Sequence, residues 1–115
     1  MTMKETLSNR LFKLTNDVHV EQVDVAYKCK TKDGMIYTLD IDGYRRDAIE
    51  GYNLTFPEYV DSCVIKELLH YLELVEAEDG FYFSSCESVL IRKSEIVRVW
   101  ADIECGHFDE GAKII

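Results

Sequence analysis

The chain has 115 residues and a formal net charge of −9 at pH 7, because 22 acidic side chains outnumber 13 basic ones, and 47% of its residues are hydrophobic. This length and composition predict one globular domain over residues 1–115. Charged residues interrupt every apolar stretch well before the ~18 residues that a membrane-spanning helix needs, and no apolar signal region follows the first charges. We therefore expect a cytoplasmic protein without a membrane partner.

The sequence carries no recognisable catalytic or cofactor-binding motif. No phosphate-binding glycine loop or nucleophile motif is present. The cysteines lack the paired spacing of a zinc or redox site, and a domain of this size does not depend on disulfide bonds. We therefore expect reduced thiols, no cofactor, no metal and no catalytic residue. The four cysteines are Cys29, Cys63, Cys86 and Cys105.

The first predicted element is a helix over residues 3–14. Its apolar residues recur at steps of four, four and three, which places them on one face: Met3, Leu7, Leu11 and Leu14. Thr2 and Glu5 have the spacing of a capping box at its start. This helix is expected to pack its apolar face on the rest of the domain.

Two strands joined by a tight loop follow the predicted helix. Apolar and polar residues alternate over residues 18–31, with a change of phase near Glu21 and Gln22 that predicts a bulge. A second strand covers residues 35–42, and a three-residue loop ending at Gly34 puts the apolar side chains of both strands on one face. The predicted pairs are Thr31 with Met35, Cys29 with Tyr37, Tyr27 with Leu39, and Val25 with Ile41.

A second helix is predicted in the middle of the chain, after a short strand at residues 54–56. Thr55 and Glu58 repeat the capping-box spacing, and Pro57 suits the first helical turn. We expect the helix to end near residues 72–74. Its apolar stripe comprises Val60, Val64, Leu68, Tyr71, Leu72 and Val75.

The last third of the chain is rich in strand-forming residues. A hairpin through residues 78–80 is predicted to pair residues 75–77 with residues 81–83. Strands are predicted over residues 89–91 and 96–103, separated by a tight polar turn, and residues 105–115 are predicted to form a flexible tail. Together the elements predict an α+β fold: a curved antiparallel sheet or small barrel of about five strands, with an N-terminal helix and a second helix inserted mid-chain.

The order of these elements resembles the Sm/LSm small β-barrel, in which a helix precedes five bent antiparallel strands. The matching stretches are 32–34 with Tyr37, 41–44, 53–54, and 90–92 before 96–97. The resemblance implies a homo-oligomeric ring that binds RNA or a small ligand, with Asn53 and Arg92 at the RNA-contacting positions. This chain departs from the family at Lys93, where the family has glycine, and in the helix inserted before the last strands.

Negative charge is concentrated in the second half of the chain. Residues 1–46 carry eight basic and seven acidic side chains, whereas residues 47–115 carry five and fifteen. Between Asp47 and Glu87, Lys66 is the only basic residue, against ten acids. Such a field repels nucleic-acid phosphates and attracts basic proteins, although an acidic surface also serves solubility alone.

The sequence therefore predicts a non-catalytic acidic binding module, regulatory or inhibitory in role, that engages a protein with a basic surface. Nucleic acid is a partner only under the Sm-like alternative. Aromatic side chains beside acids are typical of protein-binding surfaces. The candidate binding residues are Glu58, Asp61, Glu73, Glu76, Tyr59 and Trp100, together with Asn53 and Arg92 from the Sm-like resemblance.

Two side-chain clusters stay open as metal sites. Cys63, Glu67 and His70 share one flank of the second helix at a spacing that suits metal ligands, although helical amphipathicity accounts for them as well. The predicted tail brings Cys105 and His107 close together in sequence. An enzyme with a Cys/His pair is the third functional alternative, and the residues available to it are Cys63 or Cys86 with His19, His70 or His107.

Overall fold

The computed structural model describes residues 20–77 and 79–108, with side chains through residue 104. These residues form one α-helix and five strands: β1 (Val20–Thr31), β2 (Ile36–Arg45), α1 (Phe56–Glu76), β3 (Phe81–Ser84), β4 (Val89–Arg92) and β5 (Ile96–Phe108). Short 3₁₀ turns at Arg46–Ile49 and Lys93–Glu95 follow β2 and β4. The predicted α+β class with a helix inserted mid-chain is confirmed, whereas the predicted helix over residues 3–14 lies outside the described residues.

The five described strands form two antiparallel sheets, not the single curved sheet or barrel that was predicted. β1 lies between β2 and β5, while β3 pairs with β4. Side chains join the two sheets: Ser84 Oγ donates to Thr38 O (2.5 Å), and Glu87 Oε2 accepts from Thr38 N (2.9 Å). Because these side chains bind the N–H and C=O groups of Thr38, β2 and β3 are not joined by backbone hydrogen bonds of a sheet in the described part of the chain.

The β1–β2 hairpin begins in the predicted register and then departs from it. The loop ends at Gly34, whose φ of 87° lies in the left-handed region that glycine adopts without a Cβ clash, and Cys29 pairs with Tyr37 as predicted. Beyond Thr38 the register shifts by one residue, so Tyr27 pairs with Asp40 and not with Leu39. This bulge corrects the predicted pairing and carries Asp40 onto the same side of the sheet as Tyr27.

Strand β5 is longer than predicted. It runs to Phe108 and pairs along the whole of β1, so residues 105–108 belong to the sheet and not to the predicted tail. Its register against β1 shifts between Val20 and Gln22, where the sequence predicted a bulge. The remaining residues of the predicted tail lie outside the described part of the chain.

Helix α1 begins as the sequence predicts and ends later. The Thr55 hydroxyl accepts a hydrogen bond from Glu58 N (3.3 Å), and a proline occupies the first turn. The predicted short strand at residues 54–56 is wrong, because Phe56 is the first helical residue. The helix continues to Glu76, since Val75 packs against the core from within it, and β3 pairs with β4 in place of residues 75–77.

The core lies between α1 and one face of the three-stranded sheet. Tyr71 of α1 packs against Tyr27 of β1 with ring centroids 5.6 Å apart, and against Tyr82 of β3 at 6.0 Å. Aromatic pairs at this distance add stabilisation beyond the area that they bury. The buried cluster comprises Val20, Val23, Val25, Tyr27, Cys29, Leu39, Tyr44, Phe56, Val60, Val64, Tyr71, Ile91, Ile96 and Ala101.

The 3₁₀ turn Lys93–Glu95 is bonded to both hairpins. Lys32 N in the β1–β2 loop donates to Glu95 O (2.9 Å), and Lys93 N donates to Gly80 O (2.8 Å) at the start of β3. The turn therefore connects the two sheets through backbone hydrogen bonds.

Among the described residues, α1 is too polar to cross a lipid bilayer.

Candidate protein-binding surface

The four acidic residues predicted for partner binding lie on the outer face of α1. Glu58, Asp61, Glu73 and Glu76 are all exposed. A helix turns by about 100° per residue, so Glu58 and Glu76 lie on one line along the helix, with Asp61 and Glu73 about 60° to either side. The side chains that α1 buries, Val60, Val64 and Tyr71, lie on the opposite side. The structure therefore places these four carboxylates on one exposed face, as one pair near each end of the helix.

Helix α1 itself supplies little positive charge to this face. Lys66 is the only lysine or arginine in α1, and the last helical turn contains no basic residue. Other acids of the middle segment are engaged elsewhere: Asp47 pairs with Arg45 and Asp79 with Arg92, each at 3.1 Å. Asp47 and Asp79 are thus paired with arginines. The carboxylates of the outer face instead extend into solvent from a helix whose only lysine or arginine is Lys66.

The basic residues of the main sheet lie on the other side of the molecule. Lys28 pairs with Trp100 in the β1–β5 ladder, and its ammonium lies 3.7 Å from Asp102 and 3.3 Å from Glu104. The Arg98 guanidinium lies 5.0 Å from the Trp100 ring centre. Because Lys28 alternates with Tyr27, which contacts α1, these side chains project from the sheet face that α1 leaves uncovered.

The remaining predicted binding residues are divided among several elements. Tyr59 is half-buried, and it stacks on Phe56 (6.5 Å) and meets Tyr44 edge to face (6.3 Å). Trp100 lies on the sheet face away from α1, so it does not join the acidic face. Asn53 is exposed in the loop before α1, and Arg92 ends β4, where it pairs with Asp79. The aromatic part of the predicted site is therefore not assembled with the acids.

Three apolar side chains on the outer face were not assigned to the predicted site. Ile65, Leu69 and Leu72 are 43%, 55% and 43% exposed. They follow one another at steps of four and three, so they form a stripe between the carboxylates. Leu72 had been placed with the buried stripe, which is wrong. Projection of the sequence onto a helical wheel would have found this set, because all three lie near the line that joins Glu58 and Glu76.

Carboxylates also lie on the inner side of α1. The bulge in β2 turns Asp42 towards the helix, where Tyr44 Oη donates to its Oδ2 at 3.4 Å. Burial, followed by the charge of Asp40 and then that of Glu67, raises the pKa of Asp42 to about 6. The hydroxyls of Tyr27 and Tyr44 share a hydrogen bond of 2.5 Å beside this group. This cluster was not predicted from the sequence, because the unshifted register turns Asp40 and Asp42 outward.

The candidate ligands on the flank of α1 are not gathered into one cluster in the described structure. Cys63 and Glu67 are half-buried, while His70 is exposed with its ring against Tyr71 (5.6 Å). Among the side chains described, no group of three or more His, Cys, Asp or Glu is arranged to hold a metal ion. Burial raises the pKa of the Cys63 thiol, which opposes its use as a nucleophile at neutral pH. The side chains of Cys105 and His107 lie outside the described part of the structure.

Comparison with known proteins adds no relative. No protein-family model, no curated protein and no solved structure matches this chain. Functional conclusions therefore depend on the surface itself: an acidic helix face with an apolar stripe on one side of the sheet, and basic and aromatic side chains on the other.

Proposed function

We propose that this protein is a non-catalytic binding module that uses the outer face of α1 to engage a protein with a basic surface, in a regulatory or inhibitory role. The observation that carries the proposal is the exposure of Glu58, Asp61, Glu73 and Glu76 on one face of a helix whose only lysine or arginine is Lys66. Clustered charge of one sign accelerates encounter with a partner of the opposite sign and orients it on arrival.

The position of the acids favours partner binding over stabilisation of the fold. Glu73 and Glu76 lie in the last two turns of α1, where the negative end of the helix dipole disfavours a carboxylate. Glutamine at these positions would have avoided that cost while keeping the helix soluble. A cation supplied by a partner relieves both the repulsion between the acids and the unfavourable dipole interaction.

The experiment uses the full chain as bait in an extract of its native host, followed by binding measurements with the purified partner. We expect the affinity to fall as sodium chloride is raised, because the attraction between exposed charges is screened over about 8–10 Å at ordinary ionic strength. An affinity that does not change with salt would contradict the proposal.

A matched pair of variants tests which carboxylates contribute to binding of the partner. E73Q/E76Q removes two carboxylates from the outer face, and E50Q/E95Q removes two exposed carboxylates outside the helix. We expect E73Q/E76Q to weaken binding by about three- to tenfold and to reduce its salt dependence, in keeping with the modest energy of exposed ion pairs. The control should lose much less. Equal losses in both variants would assign the attraction to net charge and not to α1.

A further inference from the structure

The outer face of α1 combines the acids with an apolar stripe that is exposed in the described part of the chain. Ile65, Leu69 and Leu72 are each at least 43% exposed, in a helix whose other large apolar side chains are buried or half-buried against the sheet. The stripe runs from Ile65 to Leu72, a rise of about 10 Å along the helix. Exposed apolar residues with polar neighbours on all sides are typical of surfaces that bind another protein.

We infer that this face takes an amphipathic helix of the partner, with apolar side chains against Ile65, Leu69 and Leu72 and with lysine or arginine at the two ends of the contact. The inference rests on the proposed function, because it names the form of the basic partner at the same face. The side chains of the stripe on α1, spaced by four and three residues, form a ridge that packs between the side chains of a second helix. An extended partner would instead present a side chain to this face at every second residue.

The positions of the carboxylates on α1 predict the length of the partner helix and where its basic residues lie. Glu58 and Glu76 are separated by five helical turns, or about 27 Å, with the apolar stripe between them. A partner helix of about 18 residues spans that distance. Basic residues at both of its ends would then lie near one acid pair each: Glu58 with Asp61, and Glu73 with Glu76.

The same features argue against other occupants. A symmetric antiparallel pairing with a second copy of this chain would bring like-charged carboxylates together across the contact, Glu58 of each copy near Glu76 of the other. A bilayer with anionic lipids and a nucleic acid both carry negative charge and are repelled by the same acids. A basic amphipathic helix satisfies the apolar stripe and the carboxylates at once.

The experiment measures binding of fluorescently labelled 18-residue peptides to the full chain by anisotropy at low salt. The first peptide places leucines along one helical face and lysines at both ends. The second has the same composition in a scrambled order that spreads the leucines around the helix. We expect the amphipathic peptide to bind about tenfold more tightly than the scrambled one, which corresponds to the burial of one or two leucine side chains.

Variants of the protein separate the stripe from the charge. L69Q/L72Q removes two apolar side chains without loss of helix propensity, and F83Q/L90Q is its matched control on the exposed face of the β3–β4 hairpin. We expect L69Q/L72Q to abolish the preference for the amphipathic peptide while the salt dependence remains. The control should keep both.

The outcomes that overturn the inference are distinct from failure of the proposed function. If both peptides bind equally and with the same salt dependence, a basic partner is supported but a docked helix is not. If neither binds in a salt-dependent way, the proposed function fails as well. If L69Q/L72Q unfolds at a much lower temperature than the wild-type protein, or dissociates a dimer seen by sedimentation, this chain itself covers the stripe and the inference is wrong.

Discussion

Carboxylates lie at both faces of α1, but their surroundings differ. On the inner face, Asp42 of β2 and Glu67 of α1 face each other beside buried tyrosines, and burial raises the pKa of Asp42 to about 6. On the outer face, Glu73 and Glu76 extend into water. The difference shows that location decides what a carboxylate does here. The half-buried carboxyl of Asp42 has a raised pKa, whereas the exposed carboxylates of the outer face create a field in the solvent.

The largest expected effect compares two neighbouring residues that point to opposite sides. Tyr71 is 5% exposed between Tyr27 and Tyr82, whereas Leu72 is 43% exposed. Tyr71→Ala should lower the free energy of unfolding by about 3–5 kcal/mol, because it leaves a cavity in the core. Leu72→Ala should cost about 1 kcal/mol or less. Urea denaturation of both variants measures the difference, and similar losses would show that the outer face is also packed.

The next effect concerns the pH dependence of stability. A carboxyl whose pKa is raised on folding stabilises the fold while it is protonated. The contribution of Asp42 is therefore complete below about pH 4, the ordinary range of aspartate, and is lost as the pH rises through about 6. After allowance for solvent screening of a half-buried group, the wild-type protein should lose about 1–2 kcal/mol relative to D42N between pH 4 and pH 7.

The groups that face Asp42 define the control for this measurement. Among the described residues they include Asp40 and Tyr44 on β2, Tyr27 on β1, and Cys63 and Glu67 on α1, and none of these supplies a positive charge. D61N removes an aspartate from the outer face and should change with pH as the wild-type protein does. The attribution to Asp42 is wrong if D42N and the wild-type protein lose stability in parallel over this range.

A smaller effect distinguishes the two ends of the outer face. E73Q/E76Q removes carboxylates near the C-terminal end of α1, and should stabilise the fold by about 0.5–1 kcal/mol, because the helix dipole disfavours negative charge there. Glu58→Gln removes one from the first turn and should destabilise it slightly. Thermal unfolding at low salt measures both variants. A lower melting temperature for E73Q/E76Q would show that these acids support the fold.

The smallest effect concerns the reactivity of two thiols: that of Cys63 on the inner flank of α1 and that of Cys86 outside the helix. Burial raises the pKa of the half-buried Cys63, while Cys86 is exposed. Iodoacetamide at pH 7.5 should therefore modify Cys63 at least about threefold more slowly than Cys86, since the thiolate is the reactive form. Peptide mapping by mass spectrometry measures both rates. A faster reaction at Cys63 would favour the alternative of an enzyme that uses this cysteine.

Features set by neighbours in sequence were predicted well. The Thr55 cap, the proline in the first turn of α1 and the positive φ of Gly34 each depend on a few adjacent residues. The register of β2 was correct next to the loop and wrong beyond Thr38. Contacts from distant segments coincide with the shift, because Ser84 and Glu87 bind the backbone of Thr38 from the β3–β4 hairpin. Interactions across that many residues leave no periodic signal in the sequence.

In the candidate site too, features that depend on one element were predicted, and features that depend on distant segments were not. The concentration of acids between Asp47 and Glu87 was enough to name Glu58, Asp61, Glu73 and Glu76, and one helix carries all four. Trp100 was added because it is aromatic and lies outside the apolar phase of its strand, and the sheet places it on the far side. The inner carboxylates escaped notice because their orientation depends on a bulge. The end of α1 was misjudged because alternate apolar residues at 75 and 77 also suit a strand, whereas helical packing already buries part of Val75.

The backbone bonds of the 3₁₀ turn Lys93–Glu95 have a practical consequence for anyone who modifies this protein. One short turn anchors the loop of the first hairpin through Lys32 and the start of the second hairpin through Gly80. An insertion there would loosen two distant loops together, so a tag or fluorophore belongs elsewhere. The exposed loop at Tyr52 and Asn53 is the better attachment point, because a label there disturbs neither anchored loop.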